Sequence, residues 1–429
     1  MKIPTIHILL LCLLTFACQQ AEKKHTNTLY AERTTSAERK EFREKLDHEL
    51  IGQALALQPD SANEGVWQGA FWAMGMSHTV SPKIEDGLRK CFSVYNFRSA
   101  SFRRGLLEAV YTLYPVAFKA EMEQVFSTET NHKLLAMATH YLIRAGTDSM
   151  GLLEQLEQRF PDWAMSPMLV CLIEDAIFTK EEKVANRPDL KPLIEFQKTH
   201  QLPVVYSFQR TDRKYTGLAI VQRANGTFVR NDEGEIVCFP QLALSASDMP
   251  SYITNGNSPQ GVYTIAEIGH SENVFIGPSP TLEMYLPFET SVQDFFHQKI
   301  QLAGASLVEN PEWTLMQYNQ LFPESWQGYR PIQQAFWAGK VGRSEIIAHG
   351  STINPTFFAH ESFYPMTPSL GCLTALELWS EETGTLLESS QTGLVEAFKE
   401  EGGKGYCYVI ELDSRKAAVT AEELIDLIE

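Results

Sequence analysis

The stretch Ile347-Ala348-His349-Gly350-Ser351, followed by Pro368-Ser369-Leu370-Gly371-Cys372-Leu373, decides how this chain reads. Ile346, Ile347 and Ala348 lead into His349 as a strand, and Gly350 interrupts it. A thiol becomes a useful nucleophile when a base takes its proton or a cation lowers its pKa. Histidine titrates in the right range to serve as that base. Gly371 removes side-chain bulk just before the thiol, so the backbone can turn sharply and a carbonyl can approach nearby N–H groups. The pattern predicts Cys372 as nucleophile and His349 as base, forming a thiolate–imidazolium pair. The backbone N–H groups of Gly371 and Cys372 are predicted to form an oxyanion hole. Ser369 and Gly350 shape the turns, and Ser351 is a candidate substrate contact. His360 lies between the two motifs and is the rival base. The alternative reading is that Cys372 is a small buried apolar residue, the common fate of cysteine.

A third stretch lies upstream: Ser258-Pro259-Gln260-Gly261-Val262-Tyr263-Thr264-Ile265. In this order the three stretches resemble the L,D-transpeptidase (YkuD-type) family. There a Thr-Pro-x-Gly-x-Phe-x-Ile strand start precedes a His-Gly or His-Ser pair and then Ser/Thr-x-Gly-Cys. The resemblance spans residues 203–413. It implies a mainly β catalytic domain that acts on peptidoglycan stem peptides. The thiol attacks a diaminopimelate–D-alanine bond, releases D-alanine and forms a thioester, which a second diaminopimelate amine resolves into a cross-link. Water in place of that amine makes the enzyme an L,D-carboxypeptidase. A third reading is a catalytically inactive envelope lipoprotein with a binding or scaffold role. The family usually carries Arg or Asn two residues after the Cys, where this chain has Thr374. A backbone carbonyl often orients the histidine in the family.

The chain has 429 residues, a net charge of −17 and seven cysteines. That length suits two or more domains. The acidic balance argues against nucleic acid as a partner, because there is no cationic excess to neutralise phosphates. No HExxH, paired CxxC, Walker loop or dinucleotide fingerprint occurs, so the sequence implies no metal and no organic cofactor.

Lys2 and the apolar run Ile6 to Phe16, ending in Leu14-Thr15-Phe16-Ala17-Cys18, read as an export signal over residues 1–18. Cys18 is the expected lipidation site, which predicts a membrane-anchored lipoprotein in the periplasm. Residues 19–35 read as a polar tether. Cys91 and Cys171 are expected as buried helix residues, and a Cys238–Cys407 pairing is left open.

Residues 36–200 read as an all-helical domain. Ser61-Ala62-Asn63-Glu64 has the form of a capping box. Trp67, Phe71 and Trp72 are expected as core, and the helix pairs resemble an α-solenoid of HEAT type. A non-repetitive bundle is the competing reading, and a protein partner for this half is one implication. The texture turns β-rich near Pro203, with a hairpin signal at Asn225-Gly226. Residues 290–340 form an aromatic-rich excursion. Its functional reading is a lid or wall over the site, with Tyr329 or Arg330 meeting a substrate carboxylate or amide. Its bland reading is a packed helix–loop segment. Residues 414–429 are expected to form a C-terminal helix.

Overall fold

The computed structural model describes residues 29–178, 180–298 and 312–428. The expected signal segment and Cys18 lie outside the described residues, as does most of the expected tether.

The first half is helical: α1 (Ser36–Glu44), α2 (Gln53–Ala56), α3 (Glu64–Ser77), α4 (Pro82–Ser93), α5 (Ala100–Leu113), α6 (Lys119–Thr128), α7 (His132–Arg144), α8 (Ser149–Arg159), α9 (Pro167–Ile177), α10 (Lys180–Ala185) and α11 (Leu190–Gln197). Helix starts follow local chemistry. Ser81, Ser99, Asn131, Asp148 and Ser166 each cap a helix by accepting a backbone N–H of its first turn, which satisfies donors the helix cannot. The alternate helices α3, α5, α7 and α9 pack against one another in sequence. They bury Trp67, Phe71, Leu106, Leu107, Leu135 and Leu172. Trp72 lies half-buried beside that core.

The second half is built on strands β1 (Val204–Gln209), β2 (Gly217–Gln222), β3 (Phe239–Leu242), β4 (Gly261–His270), β5 (Pro280–Tyr285), β6 (Ala348–His349), β7 (Leu373–Ala375), β8 (Glu377–Trp379), β9 (Leu386–Ser389) and β10 (Gly405–Glu411). Eight of these close into a barrel in the order β1-β10-β4-β5-β6-β7-β3-β2, and β8 and β9 form a separate ribbon. Two neighbour pairs are parallel, β1 with β10 and β6 with β7. The helices α12 (Val292–Phe295), α13 (Leu315–Asn319), α14 (Glu324–Gln327) and α15 (Gln334–Lys340) fall between β5 and β6, α16 (Ser390–Lys399) between β9 and β10, and α17 (Ala421–Ile428) at the end. The chain is therefore a helical region followed by an eight-stranded barrel-like sheet dressed with helices.

Several expectations need correction. The capping box does not form: α3 starts with Asn63 as its flanking residue, and Asp60 Oδ1 instead accepts the Ala62 and Asn63 N–H groups. An Asx turn at Asp60 holds this stretch, and the Glu64 carboxylate that the box needs accepts the Ser99 N–H at 3.2 Å instead. Helix α11 falls within the expected helical domain but packs with the barrel. Leu190, Leu193 and Ile194 are buried in the barrel core, and the Gln197 amide donates to Tyr408 Oη at 2.6 Å. Residues 29–35 are not a loose tether. The Ala31 N–H donates to Gly384 O, the Leu386 N–H donates to Leu29 O, and the Arg33 guanidinium sits 3.8 Å from the Phe275 ring centre. The unpaired backbone edge of the β8–β9 ribbon offers partners that a polar segment can take.

The two halves interlock. The segment after β3 leaves the barrel and inserts Met249, Tyr252 and Ile253 into the helical core. Helices α5 and α7 grip that wedge through polar contacts. Asn255 Nδ2 donates to the Glu108 carboxylate, Lys133 Nζ donates to Thr254 Oγ1 at 2.8 Å, and His140 Nε2 pairs with Tyr252 Oη at 2.6 Å. The same wedge returns to support the candidate site.

Candidate active site

The parallel pair β6–β7 brings the two motifs together. Ala348 sits opposite Leu373 and His349 opposite Thr374. Side chains alternate along a strand. Ala348, Leu373 and their neighbour Leu282 on β5 point into the barrel and are buried. His349 therefore lies on the outer face, and extending the alternation one residue before β7 puts Cys372 on that side, diagonal to it, with Glu283 of β5.

The Cys372 turn is heavily pinned. The Ser369 hydroxyl donates to Cys372 O at 2.8 Å, and the Gly371 N–H donates back to Ser369 Oγ at 3.0 Å. Ser258, from the upstream motif, donates its hydroxyl to Gly371 O at 2.8 Å. The expected oxyanion hole is corrected here, because the Gly371 N–H is spent on Ser369. Of the two predicted donors this leaves the Cys372 N–H.

Beside the turn lies a group the sequence reading missed, Arg343. Its guanidinium is buried and donates to three backbone carbonyls, those of Ser251, Gly256 and Asn257. Gly371 has φ +118°, and a Cβ there falls 2.1 Å from Arg343 Nη2. Glycine at this position is thus what lets a guanidinium lie against the thiol turn. Two residues after Cys372 the chain carries no cation: Thr374 stands there, and its hydroxyl donates to Thr367 O at 2.8 Å. A cation is nevertheless present, supplied from elsewhere in the chain.

The resting charges differ from the expected ion pair. Burial pushes the Cys372 thiol up to about 11. The Ile347 backbone and Arg343 oppose the rise, and Glu283 and Glu345 add to it. Burial lowers His349 to about 4 against a hydrogen bond to Gly350 O. Desolvation disfavours both charged forms, so thiol and imidazole rest neutral at pH 7. The carbonyl of Gly350 can only accept, so Nδ1 carries the proton and Nε2 keeps its lone pair. The thiol donates to Glu345 O at 3.4 Å rather than to the imidazole. Glu345 has φ 60°, an uncommon conformation for a side-chain-bearing residue. Its N–H is held by Glu289 Oε1 at 2.9 Å.

A second missed residue is Glu377. Its buried carboxylate accepts the Ser279 hydroxyl, the Ser389 hydroxyl at 2.8 Å and the Ser351 N–H at 3.0 Å. It packs directly against Gly350, where a Cβ would meet it at 2.1 Å. It thereby fixes the turn that follows His349. Burial raises its pKa to about 7, against those three hydrogen bonds. The folded value exceeds the unfolded one, so this group's contribution is fully present below about pH 4.5 and is lost as pH rises through about 7. The expected loss is about 3 kcal/mol of unfolding free energy. Urea unfolding from pH 4 to 8 checks this, since Glu377→Gln should flatten that part of the profile.

The remaining predicted residues fall elsewhere. Ser351 is buried, its hydroxyl accepting from Thr367 Oγ1 at 2.6 Å and from the Ile353 N–H. It pins the loop instead of facing a substrate. Tyr329 and Arg330 line a cavity that contains neither Cys372 nor His349. Arg330 is ion-paired with Glu174 of α9. Phe295, Phe296, Tyr318, Trp326 and Phe336 of the same excursion are buried in the barrel core. The described part of 290–340 is packed structure, because its aromatics carry more apolar area than a surface lid can leave wet. His360 is exposed. Cys91 and Cys171 are buried, and no disulfide joins the five described cysteines. Among the described residues no group of three or more His, Cys, Asp or Glu side chains converges as a metal-ligand set. Protein-family models, curated proteins and solved structures yield no match to this chain.

Proposed function

We propose that this protein is a cysteine L,D-transpeptidase of the cell wall, exported and anchored through lipid on Cys18. The observation that carries the reading is the β6–β7 register, which sets a thiol and an imidazole with a free Nε2 on one face. In the proposed cycle a stem-peptide carbonyl reaches the Cys372 turn. The thiol swings from Glu345 O to His349 Nε2 and gives up its proton as sulfur attacks. Arg343 stabilises the sulfur anion, and the Cys372 N–H faces the carbonyl oxygen. His349 returns the proton to the departing D-alanine amine, leaving a thioester. A diaminopimelate amine of a second stem then attacks the thioester carbonyl and loses its proton to His349; the C–S bond breaks, and His349 returns that proton to the departing Cys372 sulfur, which completes the cross-link and restores the thiol. The L,D-carboxypeptidase alternative differs only in using water for this last attack. The inactive scaffold reading draws on the resting thiol's hydrogen bond to Glu345 O, which points the proton away from the base.

The test is to incubate protein from Glu22 onward, and its Cys372→Ala variant, with purified tetrapeptide muropeptide and read the products by mass. Loss of D-alanine with an adduct on Cys372, absent in the variant, is expected. Cross-linked dimer then marks the transferase, and tripeptide alone marks the hydrolase. No turnover and no adduct overturn the catalytic reading for this substrate.

A further inference from the structure

The carboxylate of Glu377, on β8, is buried among neutral donors. Its Oε1 accepts the Ser279 hydroxyl and the hydroxyl of Ser389, its direct partner across the β8–β9 ribbon. Its Oε2 accepts the Ser351 N–H. Burial and these three hydrogen bonds set its pKa, and no charged neighbour takes part. A buried carboxylate held by neutral donors alone is costly when ionised. A positive charge arising nearby would offset that cost.

One peptide group joins this carboxylate to the imidazole. The Gly350–Ser351 bond is trans, so its C=O and N–H point in opposite directions. On one side the Ser351 N–H donates to Glu377 Oε2 at 3.0 Å, and on the other the Gly350 C=O accepts from His349 Nδ1. Glycine permits the close approach, since a Cβ at Gly350 would meet the carboxylate at 2.1 Å. Hydrogen bonds in such a chain polarise one another. An anion at the N–H end makes the carbonyl a stronger acceptor, and a bond to the charged form of a ring favours that form.

We propose that Glu377 is a positioning residue for His349, its carboxylate acting on the imidazole through the single Gly350–Ser351 peptide. The relay holds Nδ1 as the donor and leaves Nε2 open as the base. When the ring takes the Cys372 proton, the carboxylate supplies the negative charge that the imidazolium otherwise lacks. Glu377 does this without touching the reacting atoms. The side chains bonded to it, from the segment before β5 and from β9, are serines, so the other titrating group on the relay is His349. That ring stays neutral down to about pH 4. The inference deepens the transpeptidase reading and rests on it for the kinetic measurement, whereas the spectroscopic one stands apart from turnover.

The experiment uses protein from Glu22 onward with ¹⁵N-labelled histidine. NMR follows the imidazole N–H protons from pH 5.5 to 8.5, and His349→Gln assigns the signal. The Nδ1–H resonance of His349 is expected to move downfield in one titration with a midpoint near 7, as Glu377 ionises. It should stay fixed in Glu377→Gln, whose amide oxygen can keep the Ser351 contact without the charge. With tetrapeptide muropeptide, kcat/KM of the parent is expected to rise about fivefold through the same range, as a charge-assisted bond replaces a neutral one. Glu377→Gln should stay at the lower level throughout. A constant Nδ1–H resonance in the parent overturns the relay without recourse to a variant, and so does a titration that Glu377→Gln retains. A flat kcat/KM in an active parent overturns the catalytic role. Absence of turnover by the parent overturns the transpeptidase reading instead, and the NMR titration alone then decides the relay.

Discussion

Replacing His349 with glutamine is expected to slow D-alanine release by about 10³-fold, the usual contribution of a positioned general base. The side chain is buried, and its Nδ1–H serves only Gly350 O. A glutamine amide can make the same donation, so the turn should persist. What disappears is the acceptor at Nε2. Single-turnover measurement on tetrapeptide muropeptide checks the rate, and turnover within tenfold of the parent removes His349 from the chemistry. Alkylation of Cys372 separates two versions of the mechanism. Burial, the Ile347 backbone, Arg343, Glu283 and Glu345 set the thiol's pKa, and His349 is not among these causes. The pH dependence of alkylation should therefore be nearly the same in the parent and in His349→Gln, with the rate still rising towards about pH 11. A resting thiolate–imidazolium pair would instead give the parent a plateau near neutrality that the variant loses. The same neutral pair predicts no limb of its own in kcat/KM from above about 4 to below about 11, the values of the two groups, so a step near 7 belongs to Glu377.

Parts of this architecture are legible in the sequence for physical reasons. The β-branched run at Ile346 and Ile347 marks the strand that carries His349, and glycine beside Cys372 marks a turn with close approach. Helix positions in the first half follow from apolar periodicity and from serine, asparagine and aspartate caps. Periodicity names the type of an element and not the core it joins, which is why α11 reads with the wrong half. Phe295, Trp326 and their neighbours leave both a lid and a packed segment open in the sequence, because aromatic-rich stretches with polar spacers look alike whether they cover a site or fill a core. Arg343, Glu289 and Glu377 leave no local trace. Each acts on backbone groups or turns brought close by the closed barrel and the wedge, and a single charged residue has no period to reveal its burial. The resting charges of Cys372 and His349 are equally hidden, since desolvation depends on what packs over the pair. Ser351 misleads because its hydroxyl is next to the motif in sequence but turned onto Thr367.

Gly371→Ala is the substitution with the largest expected structural effect. Two costs coincide. At φ +118° an L side chain strains the backbone, which costs about 1–3 kcal/mol. The added methyl also lands 2.1 Å from Arg343 Nη2 and 2.6 Å from Gly256 O. Neither neighbour yields easily, because the guanidinium is held by three carbonyls and Gly256 belongs to the wedge anchored in the helical core. Relief requires either moving Arg343 off its carbonyls or opening the Ser258 and Ser369 contacts that pin the turn. We expect a loss of at least about 3 kcal/mol in urea unfolding. The control is Gly146→Ala, at φ +82° with nothing within 4 Å, where strain acts alone and the loss should be about 1 kcal/mol. If Arg343 moves, Cys372 loses its nearby cation, and its alkylation at pH 8 should fall even in molecules that remain folded. Equal losses in the two variants would mean that the guanidinium does not lie against Gly371, and the electrostatic part of the site would fall with it. A much larger loss in Gly371→Ala, with slowed alkylation, ties the fold of the wedge and the reactivity of the thiol to one glycine.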